Sequence, residues 1–583
     1  MSDKVLVCVA WPYADGPLHL GHITGAMLPP DILARYMRLL GKDVVMVSGS
    51  DTHGTPITVR AELEGVKPIE IVERYHNNML DSLVGLGLAY DLYTHTNTEN
   101  HKAVTQDMFL TLLDKGYIFL DSMTQFYCDH CQRYLADRFV EGTCPHCDYD
   151  NARGDQCDHC GRPLDALELK LPRCRFCGAT PHPQETEHYF LDLTKFSEPL
   201  HEWLKDKPHW RSNVLNFARG LLESGLRPRA ITRDIDWGVP VPVEGFEHKV
   251  IYVWFDAVIG YLSATIEWAQ LQGKEERWRD FWQSEDCQSY YFMGKDNIWF
   301  HTIIWPAMLL GYGDLNLPYD VPANENLNLE GRTFSKSRNW AIFVPDLLER
   351  YDPDPVRYVL TATMPEAQDS DFTWRDFVRR NNDELVATYG NLVHRVLTFA
   401  YRRFDGQVPQ PGRLEAADHQ LLDAMTRAFV DVGREIGACH FRAGLSAAMA
   451  AAAEVNRYLD VAAPWKTIKS NPQAAATSIY VALRAIDSLK TLFLPFLPKS
   501  SQALHEMLGY KGTIIGRQWI EEISEDGVKH RVVRYDGSKN VGEWAPSHLP
   551  VGQKLRDPKP LFVKLEDEVI EQEVARLKGG GGH

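Results

Sequence analysis

Membrane-length apolar runs are missing from these 583 residues; none reaches the roughly 20 that a span requires. Positive charge is also in short supply. Lys and Arg number 62 against 79 Asp and Glu, a formal net charge of −17. That excludes a chain that coats nucleic acid indiscriminately, but not one with a local basic patch. Cysteine is nearly absent outside one segment, since eight of the eleven fall between 128 and 177 and only Cys8, Cys287 and Cys439 stand apart. The opening MSDKVLVCVAWPYADG is too short and too soon interrupted for a signal peptide, so the expected location is cytoplasmic, without a membrane partner. The tail 579-GGGGH-583 is left out of the fold reading. A composition of 44% hydrophobic and 24% charged residues is that of an ordinary folded chain, and the length requires several domains.

The clustered cysteines form four Cys-x-x-Cys turns, 128-CDHC-131, 144-CPHC-147, 157-CDHC-160 and 174-CRFC-177. One such turn presents two thiolates, and a tetrahedral zinc ion takes four. Cys128, Cys131, Cys144, Cys147, Cys157, Cys160, Cys174 and Cys177 are therefore expected to hold two structural Zn2+ ions. Nine residues (148–156) separate the inner turns, which favours pairing 144/147 with 157/160 and the outer two with each other. Alternating or sequential pairing remains open. Taken alone, this block suits a zinc-ribbon module that grips nucleic acid or a partner.

Residues 4–12, KVLVCVAWP, read as a strand buried on both faces, 24–41 as a helix stopped by Gly41, and 43–51 as a second buried strand. This βαβ unit predicts a Rossmann-like parallel sheet. The stretch 61–115 reads as mostly helical. The cysteine block is an insertion, and sheet-like runs return at 249–261 and 290–300. From about 381 to 510 the chain is alanine-rich and helical, the pattern of a bundle, and 561–577 reads as one more helix. The fold class expected is thus an α/β Rossmann-like catalytic domain with a zinc-binding insertion and a C-terminal all-α bundle.

Within the first turn lies 10-AWPYADGPLHLGH-22. A strand ending in a glycine turn that opens a helix aims backbone N–H groups and the helix dipole at an anion. His19 and His22 add donors, and Gly21 permits close approach. About 310 residues later, 329-LEGRTFSKSRNWAIFV-344 supplies a cationic loop with Ser335, Lys336 and Ser337. Alone, each could be a helix cap or a solvated loop. Together, "HLGH" and "FSKS" resemble the HIGH and KMSKS signatures of class I aminoacyl-tRNA synthetases. With 49-GSDTHGTP-56, 251-IYVWFDAVIGY-261, 294-GKDNIWFHTIIWPAM-308, 391-NLVHR-395 and 464-PW-465 in family order, the resemblance narrows to the methionyl-tRNA synthetases and covers almost the whole chain.

That resemblance implies methionine activation by Mg2+-bound ATP to methionyl-adenylate and pyrophosphate. Transfer to the 3'-terminal adenosine of tRNA(Met), initiator and elongator, follows. His19, His22 and Lys336 would be catalytic; Gly21, Gly294, Lys295, Asp296, Ser335, Lys336 and Ser337 would bind ATP. Asp51 would receive the methionine ammonium, with Arg233 as its ion-pair partner. Ala10, Trp11, Tyr13, Trp254, Ala257, Val258, Tyr261 and His301 would wall the side-chain pocket, since a thioether favours aromatic neighbours. Asn391, Arg395 and Trp465 would read the anticodon. Four positions depart from the pattern: Thr333 and Phe334 replace the first lysine and the methionine of KMSKS, Trp11 a leucine and Val258 a proline.

The expected domains are catalytic halves at 1–115 and 231–325, a connective insertion at 116–230 and a loop and stem-contact region at 326–380. A helical anticodon-binding domain follows at 381–535, and a linker, helix and disordered tail at 536–583. The insertion is too short for the editing domain of isoleucyl, valyl or leucyl relatives. A cysteinyl enzyme would place a zinc thiolate in its amino-acid pocket instead. With no appended tRNA-binding domain, the expectation is a monomer.

Overall fold

The computed structural model describes residues 3–579 apart from 136–138, 155, 156, 158, 161, 163, 336–339 and 526. A six-stranded sheet forms the centre, with β1 (Lys4–Val9), β2 (Asp43–Ser50) and β3 (Leu92–His95) in its middle. Strand Cys287–Phe292 lies parallel to the other side of β1, and β2 runs parallel to both β1 and β3. Val5–Val9 and Val44–Ser50 are buried throughout, as a sheet covered on both faces demands. The chain leaves β1 toward β2 on one side and meets Cys287–Phe292 on the other. The carboxyl ends of these strands therefore open a crevice at the switch point, where ligands of such sheets sit.

The helix that fills the first crossover is irregular. It is α-helical at Leu20–His22, π-helical at Ile23–Met27 and α-helical again at Leu28–Leu39. Pro29 and Pro30 have no N–H to give the preceding turn, so its ladder is open. Leu28 N–H bonds to Ile23 O, and the carbonyl of Thr24 accepts from Asn324 Nδ2 at 3.1 Å. Two expectations from the sequence are corrected. The apolar run 249–261 gives only Val250–Ile251 as strand before the helix Val253–Leu271; a continuously apolar run is equally a buried helix. Residues 517–535, expected in the helical anticodon-binding domain, belong instead to a hairpin (Arg517–Glu525, Val528–Asp536) that pairs antiparallel onto β3 and extends the catalytic sheet.

The insertion is carried on a long antiparallel arm, Ile118–Cys128 against His182–Leu191. The bundle rests on three helices of 22 residues each, Ala416–Gly437, Phe441–Ala462 and Pro472–Phe493. After the hairpin the chain crosses back: Trp544 packs on Tyr36 and Phe429. The last helix, Glu568–Gly579, places Glu573 against the Arg350 guanidinium at 2.8 and 3.1 Å. Among the described residues no helix is long and apolar enough to cross a membrane.

One buried ion cluster joins three of these parts. Asp31 Oδ2 accepts from Arg35 Nε at 2.9 Å and from Arg357 Nη2 at 2.6 Å, while Oδ1 accepts from Ala89 N–H at 2.7 Å. Arg357 also donates to the carbonyls of Phe496 and Pro495, both at 2.9 Å. Burial pushes the Asp31 carboxyl up, but Arg35 and Arg357 more than offset it and hold it below its ordinary range. Asp31→Ala strands two buried guanidinium groups and is expected to cost about 3–5 kcal/mol, measured as a lower urea midpoint.

The hairpin is docked through buried histidines. His76 Nδ1 meets Ser50 Oγ at 2.9 Å and Nε2 meets Arg531 O at 2.7 Å. Its ring lies edge-on to His95, which in turn touches His530. Burial pushes His76 down to about 4 from its ordinary 6.5. The unfolded chain takes up the proton first, so stability holds above about pH 6.5 and falls as pH drops toward 4. The loss from His76 alone is expected to reach about 3 kcal/mol, and His76→Asn should flatten the fall of Tm across that window.

Candidate active site

The HLGH turn is built by its own side chains. His19 is the N-cap: its Nδ1 accepts from Gly21 N–H at 3.1 Å, and His22 Nδ1 accepts from His19 N–H at 3.2 Å. The two rings stack with centroids 3.8 Å apart. A Cβ on residue 21 would stand 2.9 Å from His19 Cε1, so only glycine lets the ring fold back over the turn. Downstream, the second motif is brought alongside. Leu20 N–H bonds to Ile342 O at 3.1 Å and Val344 N–H to Leu18 O at 2.9 Å. Phe334 stacks on His19 at 5.0 Å and 11°, so the residue that replaces the signature methionine closes one face of the histidine pair. Ser335 and Trp340 exchange two backbone bonds of 2.9 Å, and Arg332 lies over the Trp340 ring. Thr333 is exposed. Lys336 and Ser337 lie outside the described residues.

Beside this pair, Gly294 follows the strand Cys287–Phe292, and Lys295 N–H bonds to Asn324 O at 2.8 Å. Lys295 Nζ is held by Glu325 at 2.9 Å and Asp369 at 3.1 Å. Asp296, on the next turn, is exposed.

The proposed amino-acid pocket lies deeper between β1, β2 and helix Val253–Leu271. Ala10 N–H bonds to Phe292 O at 2.9 Å. The Trp11 indole occupies the space that two glycines leave. A Cβ at Gly49 would come within 2.1 Å of it and one at Gly260 within 2.7 Å, which is why a tryptophan fits here. The Tyr13 ring covers Gly54 in the same way. Tyr261 Oη meets His301 Nε2 at 2.7 Å, and His301 Nδ1 meets Asn297 O at 2.8 Å. The carbonyl can only accept, so Nδ1 carries the proton and the tyrosine donates. Burial pushes His301 down to about 4, keeping it neutral. Val258 is buried in the core and Ala257 is half-buried, whereas Trp254 is exposed and edge-on to Phe300.

Asp51 is buried, bonded through its backbone to Pro12 and Ala14. Burial, then Asp256, push its carboxyl well above the usual range. Arg233 donates to the carbonyls of Ala230 and Thr232 and lies 3.7 Å from the Tyr252 ring centre. Sequence reading missed His53, His101 and Asp256, whose ligand-type atoms lie within 4.8 Å of one another. The only signals were the His in GSDTHGTP and the Asp in WFDAVIGY, each inside a segment already quoted for other residues.

In the insertion the sulfurs gather as two sets, Cys128, Cys131, Cys174, Cys177 and Cys144, Cys147, Cys157, Cys160, the nested pairing. Cys128–Cys177, Cys131–Cys174, Cys144–Cys160 and Cys147–Cys157 lie 3.6, 3.8, 4.0 and 3.6 Å apart. Four thiolates at about 2.3 Å from one zinc would be separated by about 3.8 Å, far beyond a disulfide. The donor set fits the ion.

On the bundle, Arg395 sits one turn after Asn391, its guanidinium 4.9 Å from the Trp465 ring centre and its Nη2 3.1 Å from Asn456 Oδ1. Trp465 keeps 37% exposure. Asn391 is exposed. Arg379 and Arg380 pair with Asp376 and Glu384, while Arg402 and Arg403 remain exposed.

A nucleotide crevice at the switch point, with HLGH zipped to the segment after FSKS, defines a class I aminoacyl-tRNA synthetase. The profile of the class I (M) tRNA synthetases matches residues 5–397, and that of the anticodon-binding domain of methionyl tRNA ligase matches 408–528. The chain is 55% identical over 580 residues to the methionine–tRNA ligase of Thermomicrobium roseum, spanning 99% of each. Against that of Chloroflexus aggregans it is 53% identical over 598 residues, again 99% of each. The fold also matches the Mycobacterium tuberculosis methionyl-tRNA synthetase solved with methionyl-adenylate, at TM-score 0.74 and 24% identity over 96% of this chain and 99% of that one. The chain belongs to the methionine–tRNA ligase family.

Gly21→Ala pushes a methyl group into the His19 ring. It is expected to lower the kcat of amino-acid activation by about tenfold or more, equivalent to about 1.4 kcal/mol or more of lost transition-state stabilisation, read by ATP–pyrophosphate exchange.

Proposed function

We propose that this chain charges tRNA(Met) with methionine in two steps at the crevice. In the first, a methionine carboxylate oxygen attacks the α-phosphorus of ATP. The new P–O bond forms as the bond to the β-bridging oxygen breaks, giving methionyl-adenylate and pyrophosphate. Such a step needs positioning and neutralisation of charge more than covalent help. His19 and His22 donate toward the α-phosphate; Gly21 lets it approach. Lys336, with Ser335 and Ser337, holds the departing phosphates, and Mg2+ accompanies the ATP. Gly294, Lys295 and Asp296 take the adenosine, Asp296 by accepting from ribose hydroxyls. Asp51, partnered by Arg233, receives the methionine ammonium, while Trp11, Tyr13, Tyr261 and His301 surround the thioether. In the second step a hydroxyl of the tRNA's terminal adenosine attacks the methionyl carbonyl and AMP leaves.

The observation that carries this reading is the stacking of Phe334 on His19, with Leu18–Leu20 paired to Ile342–Val344. Two motifs about three hundred residues apart meet at one strand end. Asn391, Arg395 and Trp465 would take the anticodon. Cys128, Cys131, Cys174 and Cys177 would hold one Zn2+, and Cys144, Cys147, Cys157 and Cys160 a second. Both ions close small hairpins that bury little apolar surface of their own.

Pyrophosphate exchange that depends on methionine, and not on leucine or cysteine, tests the reaction; equal exchange with leucine would exclude it. Lys336→Ala is expected to abolish exchange. Mercurial titration of the thiols should release two zinc ions per chain, and chelation should unfold the insertion first, seen as proteolysis confined to about residues 128–177.

A further inference from the structure

We propose that Asn324, oriented by Arg211, is a positioning residue for ATP, a role that rests on the nucleotide reading of the crevice. It sets the separation between the turn that takes adenosine and the histidine turn that meets the α-phosphate.

Asn324 is 1% exposed and bonds to both turns. Its backbone brackets Gly294: the N–H donates to Met293 O at 2.9 Å and the carbonyl accepts from Lys295 N–H at 2.8 Å. Its side chain reaches the other way, Nδ2 donating to Thr24 O at 3.1 Å. Thr24 lies two residues past His22, in the π turn that continues the histidine helix.

Arg211, the N-cap of the helix Ser212–Glu223, decides which way the amide faces. Its Nη1 donates to Asn324 Oδ1 at 2.7 Å and to Ala323 O at 2.8 Å, and its Nη2 to Cys439 O at 2.9 Å. A guanidinium only donates and the Thr24 carbonyl only accepts, so the amide satisfies both in one orientation alone. Two residues on, Asn213 Nδ2 donates to Glu325 Oε1 at 2.8 Å, and Glu325 Oε2 holds Lys295 Nζ at 2.9 Å. The start of one helix thus grips Asn324 and Glu325 in succession, and each of them bonds to Lys295.

The adenosine and the α-phosphate of ATP belong to one molecule and are joined by bonds of fixed length. The two subsites must keep one spacing, and an error of about 1 Å can cost about 10²-fold in rate. With its side chain buried and both of its side-chain polar atoms bonded within the protein, Asn324 governs that spacing without supplying a ligand contact.

The full-length enzyme tests this with Asn324→Asp, Arg211→Met and Arg211→Lys in methionine-dependent ATP–pyrophosphate exchange, alongside Tm. Adenosine serves as a competitive probe that fills one subsite only. Asn324→Asp keeps the shape, both backbone bonds and the acceptor for Arg211, but sets a carboxylate oxygen against Thr24 O. It is expected to raise the ATP KM by about tenfold. The inhibition constant of adenosine and the methionine KM should stay within about twofold of wild type, because neither ligand spans the two turns. Arg211→Met should shift the constants in the same pattern, and Arg211→Lys, which restores a donor, should recover most of the loss. An unchanged ATP KM in Asn324→Asp overturns the proposal, as does an equal weakening of ATP and adenosine, which would mean that the adenosine turn itself is damaged. A fall in kcat and Tm with all three constants unchanged overturns it too, since that is the mark of a misfolded fraction. Adenosine that fails to compete with ATP at the wild-type enzyme would instead overturn the nucleotide reading of the turn.

Discussion

Asp31 and Arg357 share a hydrogen bond of 2.6 Å with no exposure on either side chain, and the geometry of the crevice hangs on that contact. Asp31 belongs to the helix that begins at His19 and His22. Arg357 belongs to the helix Pro353–Ala362, shortly after the segment that pairs with Leu18–Leu20. Arg357 continues to the carbonyls that close the last long bundle helix, Pro495 and Phe496. One guanidinium thus sets the first catalytic half, the loop-bearing segment and the bundle in a single register. Buried ion pairs add little net stability over apolar packing, but losing one partner is severe, so the cluster fixes arrangement more than it deepens the well.

Around that register the site uses departures from regular structure. Two prolines open the π turn at Ile23–Met27, and Asn324, whose carbonyl accepts from Lys295 N–H after the strand Cys287–Phe292, takes the carbonyl they free. The irregularity connects the histidine turn, through Asn324, to the turn at Gly294–Lys295. Phe334 and Trp11 show the same economy of space. Each replaces a smaller residue of the family pattern, and each is met by a partner shaped for it, the His19 ring in one case and Gly49 with Gly260 in the other.

The returning C-terminal chain links the bundle to the pocket by contact. Its hairpin extends the catalytic sheet, Glu525 caps the helix Glu99–Asp114 at Glu99 N–H, 2.9 Å away, and His530 meets Glu267 at 3.1 Å on the helix that carries Tyr261. Glu573 then fastens the last helix to Arg350. The contacts of Glu525, His530 and Glu573 bury their polar groups in pairs.

Local chemistry made much of this legible in the sequence. Four repeats of one cysteine spacing pointed to two four-thiolate sets, because metal geometry dictates spacing. The apolar run at Lys4–Val9, the glycine turn and the following helix declared a parallel sheet with an anion-facing end, because these depend on neighbours in the chain. The 249–261 run was ambiguous for the converse reason: a segment buried all round has no period to read. Distance in sequence hid the rest. Nothing local in 517–536 says that it joins β3, since pairing of an edge strand is settled by which edge is free. Nor does anything in GSDTHGTP reveal that His53 will meet Asp256, 203 residues on. The residue types were written in the chain; which carboxylate shares which cation was decided only when the sheet and its crossing helices packed and excluded the water that would otherwise have screened them.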